Sequence, residues 1–264
     1  MKGLKTRYYS SFDQDFVETR DQSCRVPPDY RWVRRDLPFR LLSALVYSIA
    51  IAFSAVYCRL FLHIRFENSK AIKEGRKTGA FIYCNHTQPL GDVFTPALPC
   101  LPGRIYTVVS PANLAIPVIG KILPYLGALP IPDTLKGMKE FTAAIEYRVN
   151  QGKYVTIYPE AHVWEYYTGI RPFPETSFKY PAKLGKPVYS MTSTYQQRRH
   201  GKRPRCTVYI DGPFYPDTSL SPKERAVNLR NQVYERMVQR SKASNCQYIP
   251  YIEKPEEGSP CTES

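Results

Sequence analysis

The spacing of apolar and polar residues divides the chain at about residue 78. Before this point lies one long apolar segment, 41–58, which carries no charged residue and is flanked by Arg40 and Arg59. After it, short apolar runs alternate with amphipathic stretches, a pattern typical of an α/β domain. Five of these runs are predicted to be strands, at 79–83, 105–109, 154–158, 187–195 and 206–210.

Two amphipathic helices are predicted from their caps and periodicity. Apolar residues at helical spacing follow Thr134, a residue type that caps helices, and Gly152 lies just beyond their end. A second helix is predicted to begin at Ser221, because Ser221 and Glu224 have the form of a capping box. Residues after about 244 are rich in Pro, Glu and Ser, and we expect them to form a flexible tail.

The length of 264 residues allows one substantial core, so we expect a single domain with appendages. The predicted parts are a polar and basic arm (1–37), a membrane-associated helical segment (38–65), the main α/β domain (66–243) and the flexible tail (244–264). The arm ends in the basic cluster Arg31, Arg34 and Arg35, which suits contact with an anionic surface.

The uncharged segment 41–58 covers about 18 positions, the lower edge of what crosses a bilayer as a helix. A cleavable signal is not expected, because about forty mostly polar residues precede it. A spanning helix would place the main domain outside the cell, whereas the unpatterned cysteines favour a reducing compartment. We therefore prefer a helix that dips into one leaflet, continued by 60–64, on the cytoplasmic face. A buried core helix of a soluble protein is the alternative.

The net charge of +14 favours anionic partners, which include phospholipid headgroups, phosphate-bearing substrates and nucleic acid. Nucleic-acid binding is the weaker alternative, because the sequence has no helix-turn-helix, zinc-finger or RNP pattern and a membrane segment would be out of place. The seven Cys are scattered without a C-x-x-C pair, so no metal site is predicted.

Candidate chemistry first appears in Tyr83-Cys-Asn-His-Thr-Gln-Pro-Leu-Gly-Asp92, directly after a predicted strand. A histidine at a strand end, with a carboxylate a few residues on, can form a dyad in which Asp92 orients His86 and His86 takes a proton from a hydroxyl. From spacing alone, a loop histidine bonded to local backbone is the favoured interpretation.

A second block, Ile157-Tyr-Pro-Glu-Ala-His162, also follows a predicted strand. With Gly127 to Asp133 and the Lys186-Pro-Val188 strand entry, the order of motifs resembles the glycerolipid acyltransferase superfamily, that of the lysophospholipid (1-acylglycerol-3-phosphate) acyltransferases. The resemblance covers residues 78–195. It implies an α/β acyltransferase domain with a mixed sheet flanked by helices, preceded here by the membrane-associated helix.

The resemblance also implies a reaction and a site. An acyl group would pass from acyl-CoA or acyl-carrier protein to a lysophospholipid hydroxyl in the membrane, with no further cofactor and no covalent enzyme intermediate. His86 would be the base and Asp92 its partner. Glu160 and Asn85, the residue before His86, would help to form the acceptor site. A hydrolase that uses the same dyad, with water as acceptor, is the alternative; no Gly-x-Ser-x-Gly elbow supports a serine mechanism.

Three positions depart from the family pattern. Five residues instead of four separate His86 from Asp92, and we expect Gly91 to absorb the extra one through a positive φ. Thr134 and Val163 stand where the family has arginines. A phosphate-bearing acceptor still needs cations, and the substitutes we predict are Arg171, Lys179 and His162. The denser basic run is predicted to be a lipid-facing patch or a hairpin tip: Arg198, Arg199, Lys202, Arg203, Arg205.

Overall fold

The computed structural model describes residues 6–17, 23–88, 91–201 and 203–255. Nine strands lie within these ranges: β1 (Arg7–Tyr9), β2 (Ile64–Glu67), β3 (Ala80–Cys84), β4 (Ile105–Val109), β5 (Ala128–Pro130), β6 (Tyr154–Ile157), β7 (Val188–Gln196), β8 (Arg205–Phe214) and β9 (Tyr251–Glu253). The helices of the same ranges are α1 (Leu37–Leu60), α2 (Gly75–Thr78), α3 (Gly91–Phe94), α4 (Ile119–Leu126), α5 (Leu135–Asn150), α6 (Lys179–Leu184) and α7 (Pro222–Ser241).

Seven of the strands form one mixed sheet in the order β2-β8-β7-β3-β6-β4-β5. The β7–β8 pair is antiparallel and the other pairs are parallel. Strands β3 and β6 lie at the centre and are buried along their whole length. Their carboxyl ends meet at one edge of the sheet, where ligand sites of open α/β sheets usually form.

Helices cover both faces of the sheet, so each face has its own core. On one face, α5, α6 and α7 pack on inward side chains of the central strands, including Phe81, Tyr83 and Val155. On the other face, the opposite side chains of the same strands, including Ile82 and Tyr154, pack with Ile51 of α1 and the short elements after β3. The architecture is the predicted α/β fold with a mixed sheet flanked by helices.

The predicted strands and helix caps are confirmed. All five predicted strands form, with their ends shifted by a few residues. Thr134 caps α5 by accepting the Gly137 N–H at 3.1 Å, and both bonds of the capping box between Ser221 and Glu224 are present. Strands β2 and β5 were not predicted, because they are only four and three residues long and show no clear alternation.

Helix α1 confirms the predicted apolar helix and lies along the main domain. Ser43 Oγ donates to the Tyr125 carbonyl at 2.7 Å, the Ile105 N–H donates to Tyr47 Oη at 3.2 Å, and Phe53 packs edge-on against Phe94. By length and composition it is the one helix among the described residues that could cross a membrane. It ends at Leu60, and its predicted continuation over 60–64 is wrong, because residues 64–67 form β2 in the central sheet.

The two ends of the described chain meet in a separate parallel pair, β1 with β9. The Tyr251 hydroxyl donates to the Glu165 carbonyl at 3.0 Å, and its ring stacks on Trp164 at 4.9 Å between centroids. The expectation of a flexible tail is therefore wrong for residues 244–255. Their polar composition gave no sign of the contacts that Tyr251 makes. Residues 256–264 lie outside the described ranges.

Candidate active site

His86 and Asp92 form the predicted dyad at the carboxyl edge of the sheet. His86 lies in the loop after β3 and Asp92 in the first turn of α3, and the imidazole Nδ1 is 2.7 Å from Asp92 Oδ2. The same carboxylate oxygen accepts the Gln88 N–H at 3.0 Å. Asp92 is 5% exposed and the His86 side chain 21% exposed, so the carboxylate is enclosed while the base reaches the surface. An Nδ1–H bonded to Asp92 leaves Nε2 free to accept a proton.

The extra residue between His86 and Asp92 is absorbed by a tight turn. The Asp92 N–H donates to the Gln88 carbonyl at 3.4 Å, which draws Asp92 back towards the imidazole. Gly91 does not adopt the positive φ that we expected. It is needed for space instead, since a Cβ at this position would lie 1.7 Å from Gln88 Oε1. Residues 89–90 of the loop lie outside the described ranges.

Tyr158, which sequence reasoning missed, packs against the dyad from the end of β6. Its ring centroid lies 4.4 Å from that of His86, and its hydroxyl donates to the Asp92 carbonyl at 2.5 Å. Burial raises the pKa of the Tyr158 hydroxyl well above its ordinary value, so the group stays a neutral donor. Its position directly before the Pro-Glu motif was the available signal, but one tyrosine among 21 gave no reason to select it.

The Glu160 carboxylate bonds the backbone of His86. One carboxylate oxygen accepts the His86 N–H at 3.1 Å, and the other accepts the Arg171 N–H at 3.0 Å. Arg171 Nη2 adds a third donor at 3.3 Å. Burial raises the pKa of the Glu160 carboxyl, and the Arg171 guanidinium and the two N–H groups oppose this rise. Glu160 thus fixes the loop that carries His86.

Arg171, the predicted headgroup ligand, is 1% exposed. Its guanidinium lies 4.9 Å over the ring of Trp164, Nη1 donates to the Phe12 carbonyl at 3.1 Å, and Nη2 also donates to the His162 carbonyl. Both Nη groups thus donate to the protein, and Nε is buried without a partner, so no donor of Arg171 faces solvent. This geometry favours a role in holding the Glu160 loop over the predicted contact with an acceptor headgroup.

The other predicted acceptor ligands lie apart from the dyad. The Asn85 amide makes two bonds with the Ser193 backbone, at 2.8 and 3.1 Å, and so joins the end of β3 to β7. The His162 imidazole lies 3.2 Å from Asp15 of the N-terminal arm. Lys179 is exposed at the start of α6, with Nζ over the Tyr180 ring. These contacts favour structural roles for Asn85 and His162 and leave Lys179 free to meet solvent.

The N-terminal arm closes over the loop that follows Glu160. Trp164 is fully buried; its N–H donates to the His86 carbonyl at 3.0 Å and its Nε1–H to the Gln14 carbonyl at 2.8 Å. The rings of Phe12 and Phe16 pack on the same indole at 5.9 and 5.2 Å between centroids. Residues 6–17 of the arm thus support the loop that follows Glu160 and, through Trp164, the backbone of His86.

An apolar surface borders the dyad. Val93, next to Asp92, is 59% exposed, and the following Phe94 packs against Phe53 and Tyr57 of α1. The basic run 198–205 lies at the turn between β7 and β8, the hairpin tip that was one of its two predicted interpretations, and its last member, Arg205, begins β8. Residue 202 lies outside the described ranges. No group of three His, Cys, Asp or Glu side chains that could hold a metal occurs in the described parts of the chain.

Comparison with known proteins shows the family and the fold. A family model described as Acyltransferase matches residues 63–194, half of the chain. The chain therefore belongs to the acyltransferase family. Its fold is similar to the crystal structure of PlsC, the 1-acyl-sn-glycerophosphate (LPA) acyltransferase from Thermotoga maritima. That match has a TM-score of 0.55 and 17% identity, and it covers 80% of this chain and 86% of that one. No match was found among curated proteins.

Proposed function

We propose that this protein transfers an acyl group from a thioester donor to the hydroxyl of a lysophospholipid, with His86 as general base and Asp92 as its orienting partner. The observation that carries the proposal is the 2.7 Å contact between His86 Nδ1 and Asp92 Oδ2, in a chain that belongs to the acyltransferase family. The imidazole reaches the surface, so Nε2 is accessible to an acceptor hydroxyl.

In the proposed reaction His86 acts twice, first accepting a proton and then returning it. As Nε2 of His86 takes the hydroxyl proton, the acceptor oxygen attacks the thioester carbonyl carbon and forms a C–O bond. The tetrahedral intermediate then collapses, the C–S bond breaks, and the imidazolium returns its proton to the leaving thiolate. Asp92 keeps the Nδ1–H tautomer in place and stabilises the positive imidazole between the two steps.

The acceptor is proposed to come from the membrane in which α1 lies. The buried side of α1 contacts the main domain along its length, which suits a helix lying in one leaflet better than one spanning the bilayer. Its other side exposes large apolar residues: Leu37, Leu41, Leu42, Leu45, Ile49, Val56 and Leu60. Phe53, at the border of the two sides, is also partly exposed. Val93 continues this surface to the dyad, so a lysolipid would reach His86 without leaving the interface.

Lysophosphatidate is the acceptor we propose, with acyl-CoA or acyl-carrier protein as donor on the cytoplasmic face. The structurally similar PlsC is named as an enzyme of 1-acyl-sn-glycerophosphate, and the net charge of +14 favours an anionic substrate. The product would be phosphatidate, a precursor in phospholipid biosynthesis.

The test is an acyl-transfer assay of the purified protein against a panel of lysolipids, with mass spectrometry of the products. His86→Ala should lower the rate by about 10²- to 10⁴-fold, because the hydroxyl loses its base. His200→Ala, which alters an exposed histidine in the β7–β8 turn, is the matched control. Thioester consumption that does not require an added lysolipid would favour the hydrolase alternative.

A further inference from the structure

Four arginines surround a shallow cleft where α1 begins, away from the active site. Arg31 and Arg34 come from the segment before α1, Arg104 precedes β4, and Arg148 lies in the last turn of α5. The cleft encloses only about 30 Å³, and the rest of its free space is open to solvent. This size suits a small, partly hydrated group better than a large buried ligand.

The two inner arginines retain unused donors. Arg104 Nη2 donates to Ser43 Oγ at 2.7 Å and to the Tyr125 carbonyl at 2.6 Å, but its Nε is buried without a partner. Arg148 makes one long bond, from Nη2 to the Trp32 carbonyl at 3.5 Å, and its Nε is also buried without a partner. Each guanidinium carries five N–H donors, so most of the capacity of this pair is not satisfied by the protein.

No carboxylate lines the cleft within the described residues. Asp36 is paired with Arg34 at 3.3 Å and caps α1. Burial lowers the pKa of Arg148, and the charges of Arg104 and Arg35 act in the same direction. Among the described residues, Arg31, Arg104 and Arg148 have no acidic partner, and such a cluster is costly unless an anion fills it.

Aromatic rings stabilise these arginines without using their donors. Arg104 lies over the Tyr47 ring at 4.6 Å and Arg148 over the Tyr106 ring at 4.4 Å. Such contacts occupy the faces of the guanidinium planes, whereas the N–H groups point outward in the plane. The Nε atoms of both arginines are enclosed by the protein, whereas their Nη1 groups make no hydrogen bond to the described residues. Guanidinium N–H groups of this kind bind phosphate oxygens.

The cleft lies at the membrane side of the molecule but at the opposite end of α1 from the dyad. Leu41 and Leu45 of the exposed α1 surface flank Ser43, which lines the cleft. Phe53, which contacts Phe94 beside Asp92, is ten residues further along the helix, or roughly 15 Å. A phosphate at the level of a headgroup would reach the cleft while the acyl chains followed the apolar surface of α1.

We propose that this cleft binds the phosphate of an anionic membrane phospholipid, separately from the acceptor at His86. The proposal rests on the membrane docking of α1 proposed above, but not on the chemistry at the dyad. The bound lipid would fix the start of α1 at the interface and set the orientation in which the active site meets the bilayer.

The experiment compares binding of the full chain to vesicles of phosphatidylcholine alone and of phosphatidylcholine mixed with phosphatidylglycerol, at one ionic strength. Arg148→Gln removes the planar guanidinium with its paired donors, and Arg148→Lys keeps only the charge. Lys223→Gln removes one exposed charge at the start of α7, which does not line the cleft. Thermal unfolding of each variant shows whether it is folded.

Arg148→Gln should bind the mixed vesicles about ten-fold more weakly than the unaltered chain, and the neutral vesicles equally well. Arg148→Lys should recover part of the loss and Lys223→Gln should show none. Equal weakening by Arg148→Gln and Lys223→Gln would overturn the site in favour of general surface charge. Binding of inorganic phosphate without vesicles, lost in Arg148→Gln, would assign the cleft to a soluble anion instead. Failure of the unaltered chain to bind either vesicle would overturn the membrane docking itself, whatever the assay at His86 shows.

Discussion

Glu160 holds His86 by its backbone rather than by its side chain. The carboxylate accepts the His86 N–H at 3.1 Å, while the imidazole of the same residue turns away to meet Asp92 at 2.7 Å. The Pro-Glu motif therefore sets the position of His86, the proposed base. Because Arg171 supplies two further donors to the same carboxylate, the pair Glu160 and Arg171 determines how rigid that position is.

Glu160→Gln should lower both stability and turnover. The substitution leaves the buried Arg171 charge without its partner, which typically costs about 3–5 kcal/mol of unfolding free energy. Turnover should fall roughly ten-fold or more through displacement of the His86 loop. Denaturant unfolding and steady-state kinetics measure the two effects, with the exposed Glu235→Gln of α7 as control. Adding Arg171→Gln should restore part of the stability, and strictly additive losses would contradict a coupled pair.

Arg171→Ala separates the structural role from the headgroup role predicted from sequence. If Arg171 clamped the acceptor phosphate, KM for lysophosphatidate should rise about ten- to a hundred-fold while a neutral monoacylglycerol is unaffected. Its burial and its bonds to Phe12 and His162 lead us to expect equal losses of kcat on both acceptors, together with a lower unfolding free energy. A KM effect confined to the phosphate-bearing acceptor would show that the loop opens to admit it.

Gly91→Ala should disturb the dyad through Gln88. The added Cβ would overlap Gln88 Oε1. The backbone N–H of Gln88 donates to the Asp92 carboxylate. We expect kcat to fall about ten-fold, within the range for misplaced catalytic groups. The combination with Gln88→Ala removes the overlapping atoms and should recover activity relative to Gly91→Ala alone. No recovery in the double variant would place the cause in the backbone of Gly91.

Charges on the exposed side of α1 should release the protein from membranes. Truncation would uncover the core that α1 protects at Ser54 and Cys58, so substitutions on its outer side are the better test. Burial of a leucine contributes about 1.5–3 kcal/mol, and Leu41→Glu with Leu45→Glu should therefore reduce vesicle partitioning roughly a hundred-fold. Stability in detergent should change little. Leu135→Glu alters an even more exposed leucine, at the start of α5, and should leave partitioning unchanged.

The features that could be predicted from the sequence are those that depend on residues close together along the chain. The strand ends, the Thr134 cap and the dyad spacing depend on residues within a few positions of one another, and they could be predicted. Arg171 could not be interpreted correctly in this way, since its burial depends on the Phe12 carbonyl, 159 positions away. The β1–β9 pair was missed for the same reason: neither short segment has a pattern that identifies its partner.

The pairing of Arg7 with Tyr251 also bears on the order in which the molecule folds. These residues are 244 positions apart, and contacts of long sequence separation form only after the intervening chain has been organised. The aromatic cluster around Trp164 needs both of these terminal segments, and the loop that carries His86 depends on that cluster. The helices and the central sheet should therefore form first, and catalytic competence should be the last property that a refolding molecule gains.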